Sequence, residues 1–252
     1  MTTAEETAIS PFSISHEWTL HWQCLPSNLK RLPFFNDKSE KEQKAVEAIS
    51  KVGLIGGQQL LHLFGINKKR LAKMVTEQKI VRHEMRLGNQ VMPIYTLGLN
   101  GAMMAGIEEA YKMNYWLEYK TEDVLKRIVF FKLYEHFRKE GEGADDEGGQ
   151  GYDILPTPKP FSGAIRFKGK PFYIYVLRGD ANDLMMYMKW KGDAFNERLI
   201  VVTESLRYLE GLKPILQLLK VRVALDADLL QSVEHVQNLF YFLSDGQFVR
   251  DC

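Results

Sequence analysis

The sequence predicts an α/β protein, α+β overall, made of a helix–turn–helix backed by a β-hairpin and then an α/β domain. Three observations predict it. Residues 58–75 hold two short helical stretches with apolar faces, separated by Gly65. Two strand-like runs follow, Lys79–Leu87 and Val91–Leu97, with Gly88, Asn89 and Gln90 between them. From residue 162 onward, strand-like runs alternate with helical ones, the pattern of a sheet with helices packed on its faces.

Composition sets the outer limits. A chain of 252 residues holds one large or two modest domains. It is 45% hydrophobic and 26% charged, which fits a soluble globular protein and excludes disordered and fibrous classes. Net charge is only +1, but its distribution is uneven. Between Glu40 and Asn100 there are ten basic residues against five acidic ones, an excess of five. A confined basic region is the electrostatic footprint of a nucleic-acid-binding module. Cys24 and Cys252 lie near opposite ends and suggest no disulfide framework, so a cytoplasmic location is expected. There is no signal-peptide layout at the start and no apolar run of membrane-spanning length, so no membrane partner is expected.

Taken in order, residues 1–38 read as an arm. Residues 1–10 are polar and acidic, the composition of disorder. Ile14, Trp18, Leu20 and Trp22 share one parity, the period of a strand, so the arm packs on its own domain or on a second subunit. His16, His21 and Cys24 have no second ligand pair at zinc-site spacing, so no metal is expected.

Residues 39–115 read as a winged helix-turn-helix. Ser39 can cap a helix to Val52, with Glu42 three residues on completing a capping box, and Val46, Ile49 and Val52 as its buried stripe. Leu60, Leu61 and Phe64 face the first helix of the pair inward, and Leu71, Met74 and Val75 do so for the second. Asn67 can cap that second helix, and Gly65 permits the left-handed turn before it. In this geometry the second helix enters the major groove. The expected DNA-contacting residues are therefore Asn67, Lys68, Lys69, Arg70 and Lys73 on that helix, with Lys69 and Arg70 as base readers. Arg82, Arg86 and Asn89 belong to the hairpin, and His83 there is a possible phosphate contact or a solvated side chain. A glycine- and alanine-rich helix follows from Leu97 to about Met113, able to approach a neighbouring backbone closely.

Residues 116–140 read as a linking helix with a broad apolar surface at Val124, Ile128, Phe131, Leu133, Tyr134 and Phe137. Residues 141–151 are an acidic, glycine-rich loop without the lysine and hydroxyl ending of a phosphate cradle. Residues 152–252 form the α/β domain. Ser162–Phe167 and Pro171–Leu177 read as a hairpin, and Leu199–Thr203 and Val221–Leu225 as buried strands. Asn182–Lys191, Ser205–Leu212, Pro214–Lys220 and Asp228–Asn238 read as helical.

Both halves together resemble the replication-relaxation family of plasmids and other mobile elements of Gram-positive bacteria. The likeness at the front runs from Leu60 through Gln78-Lys79-Ile80-Val81 to Ile94-Tyr95-Thr96-Leu97-Gly98-Leu99-Asn100-Gly101. At the back it covers Ser162–Phe167, Tyr173–Val176, Ile200–Thr203 and Val221–Leu225. The resemblance implies a winged helix joined to a restriction-endonuclease-like domain. It implies double-stranded DNA as ligand, a role in replication, conjugative transfer or transcription control, and replication, transfer or segregation proteins as partners. A homodimer is expected, because a helix-turn-helix gains by occupying two half-sites. Self-association would use the aromatic arm or the helix 121–139.

The nuclease pattern is degenerate here. An Asp at the first strand and Glu-x-Lys on the second would hold a catalytic metal. The corresponding positions are Phe161 and Ser162, then Tyr173–Leu177. Asp153 and Asp180 are the nearest acids, both read as loop residues. The six histidines are scattered, and no Gly-x-Ser-x-Gly is present. The expectation is a non-enzymatic DNA binder with no catalytic residues, metal or cofactor. Two alternatives stand: a metal-dependent nuclease whose active residues lie in another register, and a winged-helix adaptor that binds protein.

Overall fold

The computed structural model describes residues 9–33, 39–142, 152–233 and 235–251. Most of the acidic loop and residues 1–8 lie outside these. Two sheets share one core. The first has four strands in the order β1-β3-β4-β2, the second seven in the order β11-β10-β9-β8-β7-β6-β5.

The first sheet is built from β1 (Thr19–His21), β2 (Ile55–Gly56), β3 (Ile80–Leu87) and β4 (Gln90–Leu97), all antiparallel. Three helices pack on it: α1 (Glu40–Val52), α2 (Gly57–Phe64) and α3 (Lys68–Thr76). Gly65 ends α2 in the left-handed region, φ 65°, and its N–H closes on the Leu61 carbonyl. The Asn67 carboxamide oxygen then accepts the Arg70 N–H at 3.0 Å and caps α3. The order is the expected one of helix, helix and hairpin, with Gly88 (φ 55°) in the turn.

Several local expectations are corrected. Ser39 makes no side-chain cap, and Glu42, buried and bonded to Arg70 and Lys79, does not complete the box. Leu61 is exposed, and Leu63 replaces it on the inner face of α2 beside Leu60 and Phe64. The helix after the hairpin, α4 (Leu99–Met104), stops short of Met113, since Gly106 turns left-handed at φ 68°. Close approach does occur there: a Cβ on Gly98 or Gly101 would collide with the carbonyls of Gln78 and Lys79.

The expected linking helix, α5 (Thr121–Glu142), is instead the centre of the molecule. Val129, Phe130, Phe131, Leu133 and Phe137 are essentially fully buried, in one cluster with Ile49, Leu60 and Met74 on one side and Ile165, Ile174, Ile200 and Phe240 on the other. A helix apolar nearly all round is a core helix. Its apolar surface is therefore consumed within the chain and is not free for self-association. The arm also packs on its own chain. β1 pairs with β3, Thr19 opposite Arg86 and His21 opposite Glu84, and Trp18 and Trp22 pack on the cluster around Met85 and Ile94.

The second sheet comprises β5 (Asp153–Leu155), β6 (Gly163–Phe167), β7 (Lys170–Val176), β8 (Arg198–Thr203), β9 (Lys220–Leu225), β10 (Phe240–Ser244) and β11 (Gln247–Arg250). The middle three strands are parallel and the flanking ones antiparallel. α5 covers one face. α6 (Asn182–Lys191), the 3-10 turn Leu206–Leu212 and the short α7 (Lys213–Leu216) cover the other through Leu184, Met188, Leu209 and Leu216. Asp153 belongs to edge strand β5, not to a loop. The expected helix 228–238 is reduced to α8 (Asp226–Leu229) and a turn at Val236–Leu239. The final hairpin, turning at Asp245-Gly246, was not anticipated.

Candidate nucleic-acid interface

The face formed by α3 and the hairpin carries the expected contact residues, and the structure separates them into free and engaged groups. Lys68 and Lys69 open α3 and are exposed. Among the described residues no carboxylate is recorded within ion-pair reach of either. Lys73, one turn on, lies 3.4 Å from Glu77. Asn67 is exposed, but its carboxamide oxygen is occupied by the cap.

Arg70, expected as a base reader, is engaged within the chain. Its Nε bonds to Glu42 of α1, whose other oxygen accepts from Lys79 Nζ at 2.6 Å. Lys79 and Glu42 are essentially fully buried. Burial alone would pull the Lys79 ammonium down, but hydrogen bonds to Glu42 and Glu77 outweigh it and hold it above its ordinary value. Glu42 is therefore the pivot joining α1, α3 and the start of β3. Arg70 fixes the pose of the helix that carries Lys68 and Lys69.

On the hairpin, Arg82 and Arg86 flank Glu84, at 2.8 and 2.6 Å, and all three are on one face. The hydrogen bond from Arg86 is the largest of the effects that hold Glu84 below the usual carboxylate range. Alternation puts these residues on the same side as Ile80, which packs with α1 and α3. α3 therefore packs on the sheet face that carries Arg82 and Arg86. Asn89 is exposed at the hairpin tip.

His83 is neither a phosphate contact nor solvated. It is buried between Trp22 and Trp116, with ring centroids 4.9 Å from each. Nδ1 accepts the Gln23 N–H at 3.0 Å, so the proton sits on Nε2, which donates to Thr96 Oγ1 at 2.8 Å. Burial pushes its pKa down to about 3. It is a structural pin for the arm.

In the second half, Phe161 is buried and Ser162 only partly so, at the positions where a nuclease would carry its first carboxylate. Asp153 pairs with Arg166 at 2.9 Å, and Asp180 accepts the Asn182 N–H. Among the described residues no three His, Cys, Asp or Glu side chains converge as a metal site. Sequence reasoning missed a second polar centre at the C-terminal ends of the parallel strands. Arg178 follows β7, is almost fully buried, and donates from one Nη to both Asp226 oxygens at 2.9 and 2.7 Å. Its Nε donates to the Phe12 carbonyl, and Ser10 bonds to Asp226, so the arm is tied down there. Among the described residues no helix is long and apolar enough to cross a membrane. No family model, curated protein or solved structure matches the chain.

Proposed function

We propose that the chain binds double-stranded DNA in a sequence-specific way, with α3 in the major groove and the β3–β4 hairpin as a wing. It acts without catalysis in the replication, conjugative transfer or transcription control of a plasmid or other mobile element. The observation that carries the reading is the pair Lys68 and Lys69, exposed, unneutralised and adjacent on the first turn of a capped helix, on the side that also carries Arg82 and Arg86. The opening residues of a recognition helix reach deepest into the groove. The resemblance of both halves to the replication-relaxation family supports the mobile-element role. This reading includes a homodimer on two half-sites and a cytoplasmic location, since a helix-turn-helix gains by occupying two half-sites.

Fluorescence anisotropy on duplex DNA across a salt series tests this. Each phosphate contact contributes about 0.9 to the log–log salt slope, so Lys68→Ala/Lys69→Ala should flatten it by about 1.8 if both touch phosphate. A base-reading lysine should instead relax preference at one position of a selected site. A folded double variant that binds every duplex as tightly as wild type would sink the assignment.

A further inference from the structure

A groove of about 660 Å³ opens at the N-terminal ends of the parallel strands, remote in the fold from α3. It is walled by the end of the seven-stranded sheet on its α5 side, by Leu216 and Leu219 beyond the strand ends, and by Phe137, the one α5 residue among the described lining. Register explains its composition. Phe172, Arg198 and Lys220 form one row across β7, β8 and β9, and Arg222 stands two residues further along β9 on the same face. Phe242 of β10 lies beside Arg222, one step beyond the Tyr241–Val223 pair.

Aromatic rings and cations alternate here. The Arg198 guanidinium lies 5.7 Å from the Phe172 ring centroid, and that of Arg222 5.5 Å from Phe242. Both rings are only partly buried. Asp251 takes one hydrogen bond from Arg222 at 2.8 Å. Arg198 and Lys220 have no carboxylate recorded within ion-pair reach among the described residues. Strand spacing sets Arg198 and Lys220 about 5 Å apart, with Arg222 about 7 Å further on. A shallower hollow adjoins the groove past Arg198 and Lys220, where Glu197 has a carboxylate oxygen out of contact with solvent and with no hydrogen-bond donor.

We propose that this groove binds single-stranded DNA, bases against Phe172 and Phe242 and phosphates against Arg198, Lys220 and Arg222. Partly open rings beside cations are a stacking platform with an electrostatic track, the combination that holds single strands without reading sequence. A duplex cannot use it, because its bases stack on one another and so hide their faces. The choice of DNA as the source rests on the duplex-binding reading above; the groove itself does not.

The test uses the full chain and a labelled oligothymidylate of about twelve nucleotides, within the usual site size of such grooves. Arg198→Gln/Lys220→Gln should weaken single-strand binding about ten-fold or more and flatten the salt slope by about 1.4, two contacts at about 0.7 each. Phe242→Leu keeps the apolar volume and should weaken it about five-fold or more. Both variants should bind duplex as wild type does, which also shows that they are folded. Lys68→Ala/Lys69→Ala should leave single-strand binding intact. Unchanged single-strand affinity in both groove variants overturns the proposal, as does an oligothymidylate that fails to bind wild type at low salt. Displacement by polyglutamate at equal charge would assign the groove to an acidic peptide and overturn it too. An oligouridylate bound ten-fold more tightly would overturn DNA as the source. A chain that binds single strands through the groove and no duplex at all defeats the winged-helix reading and leaves this one standing.

Discussion

The two ends of the parallel strands handle their cations in opposite ways. At the C-terminal end, Arg178 is almost fully buried and its guanidinium is shared among Asp226, the Leu177 carbonyl and the Phe12 carbonyl. At the N-terminal end, Arg198 lies against the Phe172 ring and Lys220 is exposed, both on an open groove and neither within ion-pair reach of a carboxylate among the described residues. Open α/β sheets generally take ligands at the C-terminal end of their strands. Here the chain's own arm fills that end, and the vacant chemistry is displaced to the other. The difference teaches that a cation's neighbours, not its place in a fold class, decide whether it holds the protein together or is left to hold something else.

The largest effect expected from this contrast is at the filled end. Arg178→Met leaves Asp226 buried without its partner and should cost about 3–5 kcal/mol in urea denaturation. Arg178→Met/Asp226→Leu should recover most of that, and a double variant as unstable as the single one would break the ion-pair account. Next in size is His83, the pin that holds the arm against the first sheet. Folded His83 stays neutral down to about pH 3, whereas in the unfolded chain it protonates near 6.5. The unfolded state therefore binds more protons between those values, and stability falls as pH drops from 6.5 toward 3. At pH 5 the loss should be about 2 kcal/mol relative to pH 7, and His83→Gln should remove that part of the pH dependence. Equal pH profiles for the two proteins would mean that the ring is not held neutral. A smaller change is expected from Ser10→Ala, which removes one hydrogen bond to Asp226 and should cost about 1 kcal/mol. Smallest of all, Arg198→Ala and Lys220→Ala should each shift stability by no more than about 0.5 kcal/mol. A loss of several kcal/mol at either would show that the open end is structural after all.

What could be read from sequence was local. Asn67 and Gly65 announce the start of α3 and the end of α2 within four residues of each other, and Asn182–Lys191 carries its own helical period. What could not be read was distant. The partner of Arg70 is Glu42, 28 residues earlier, and nothing in the basic run marks one arginine as engaged and its lysine neighbours as free. His83 was legible in principle: if Arg82 and Arg86 point outward on a strand, the residue between them points inward. α5 also announced itself, since Leu125, Val129 and Phe130 fill the gaps in its apolar stripe and leave little polar face for a linker to show. The final hairpin had a turn signal in Asp245-Gly246 between strand-like runs, but the reading stopped at a helix that the chain does not form. Arg178 and the groove cations had no signal of any kind, because register across strands, not spacing along the chain, creates them.

The arm's two attachments differ greatly in when they become possible during synthesis. β1 can pair with β3 once residue 86 has left the ribosome. Ser10 must wait for Asp226, 216 residues later, which at ordinary elongation rates is roughly 10–40 s. Of that wait, the 140 residues from Arg86 to Asp226 (226 − 86), roughly 7–28 s, pass with the newborn arm anchored at its strand and unanchored at its tip. The tip meets its seat only after most of the seven-stranded sheet has been made, so its docking is a late event that reports the near-completion of the chain.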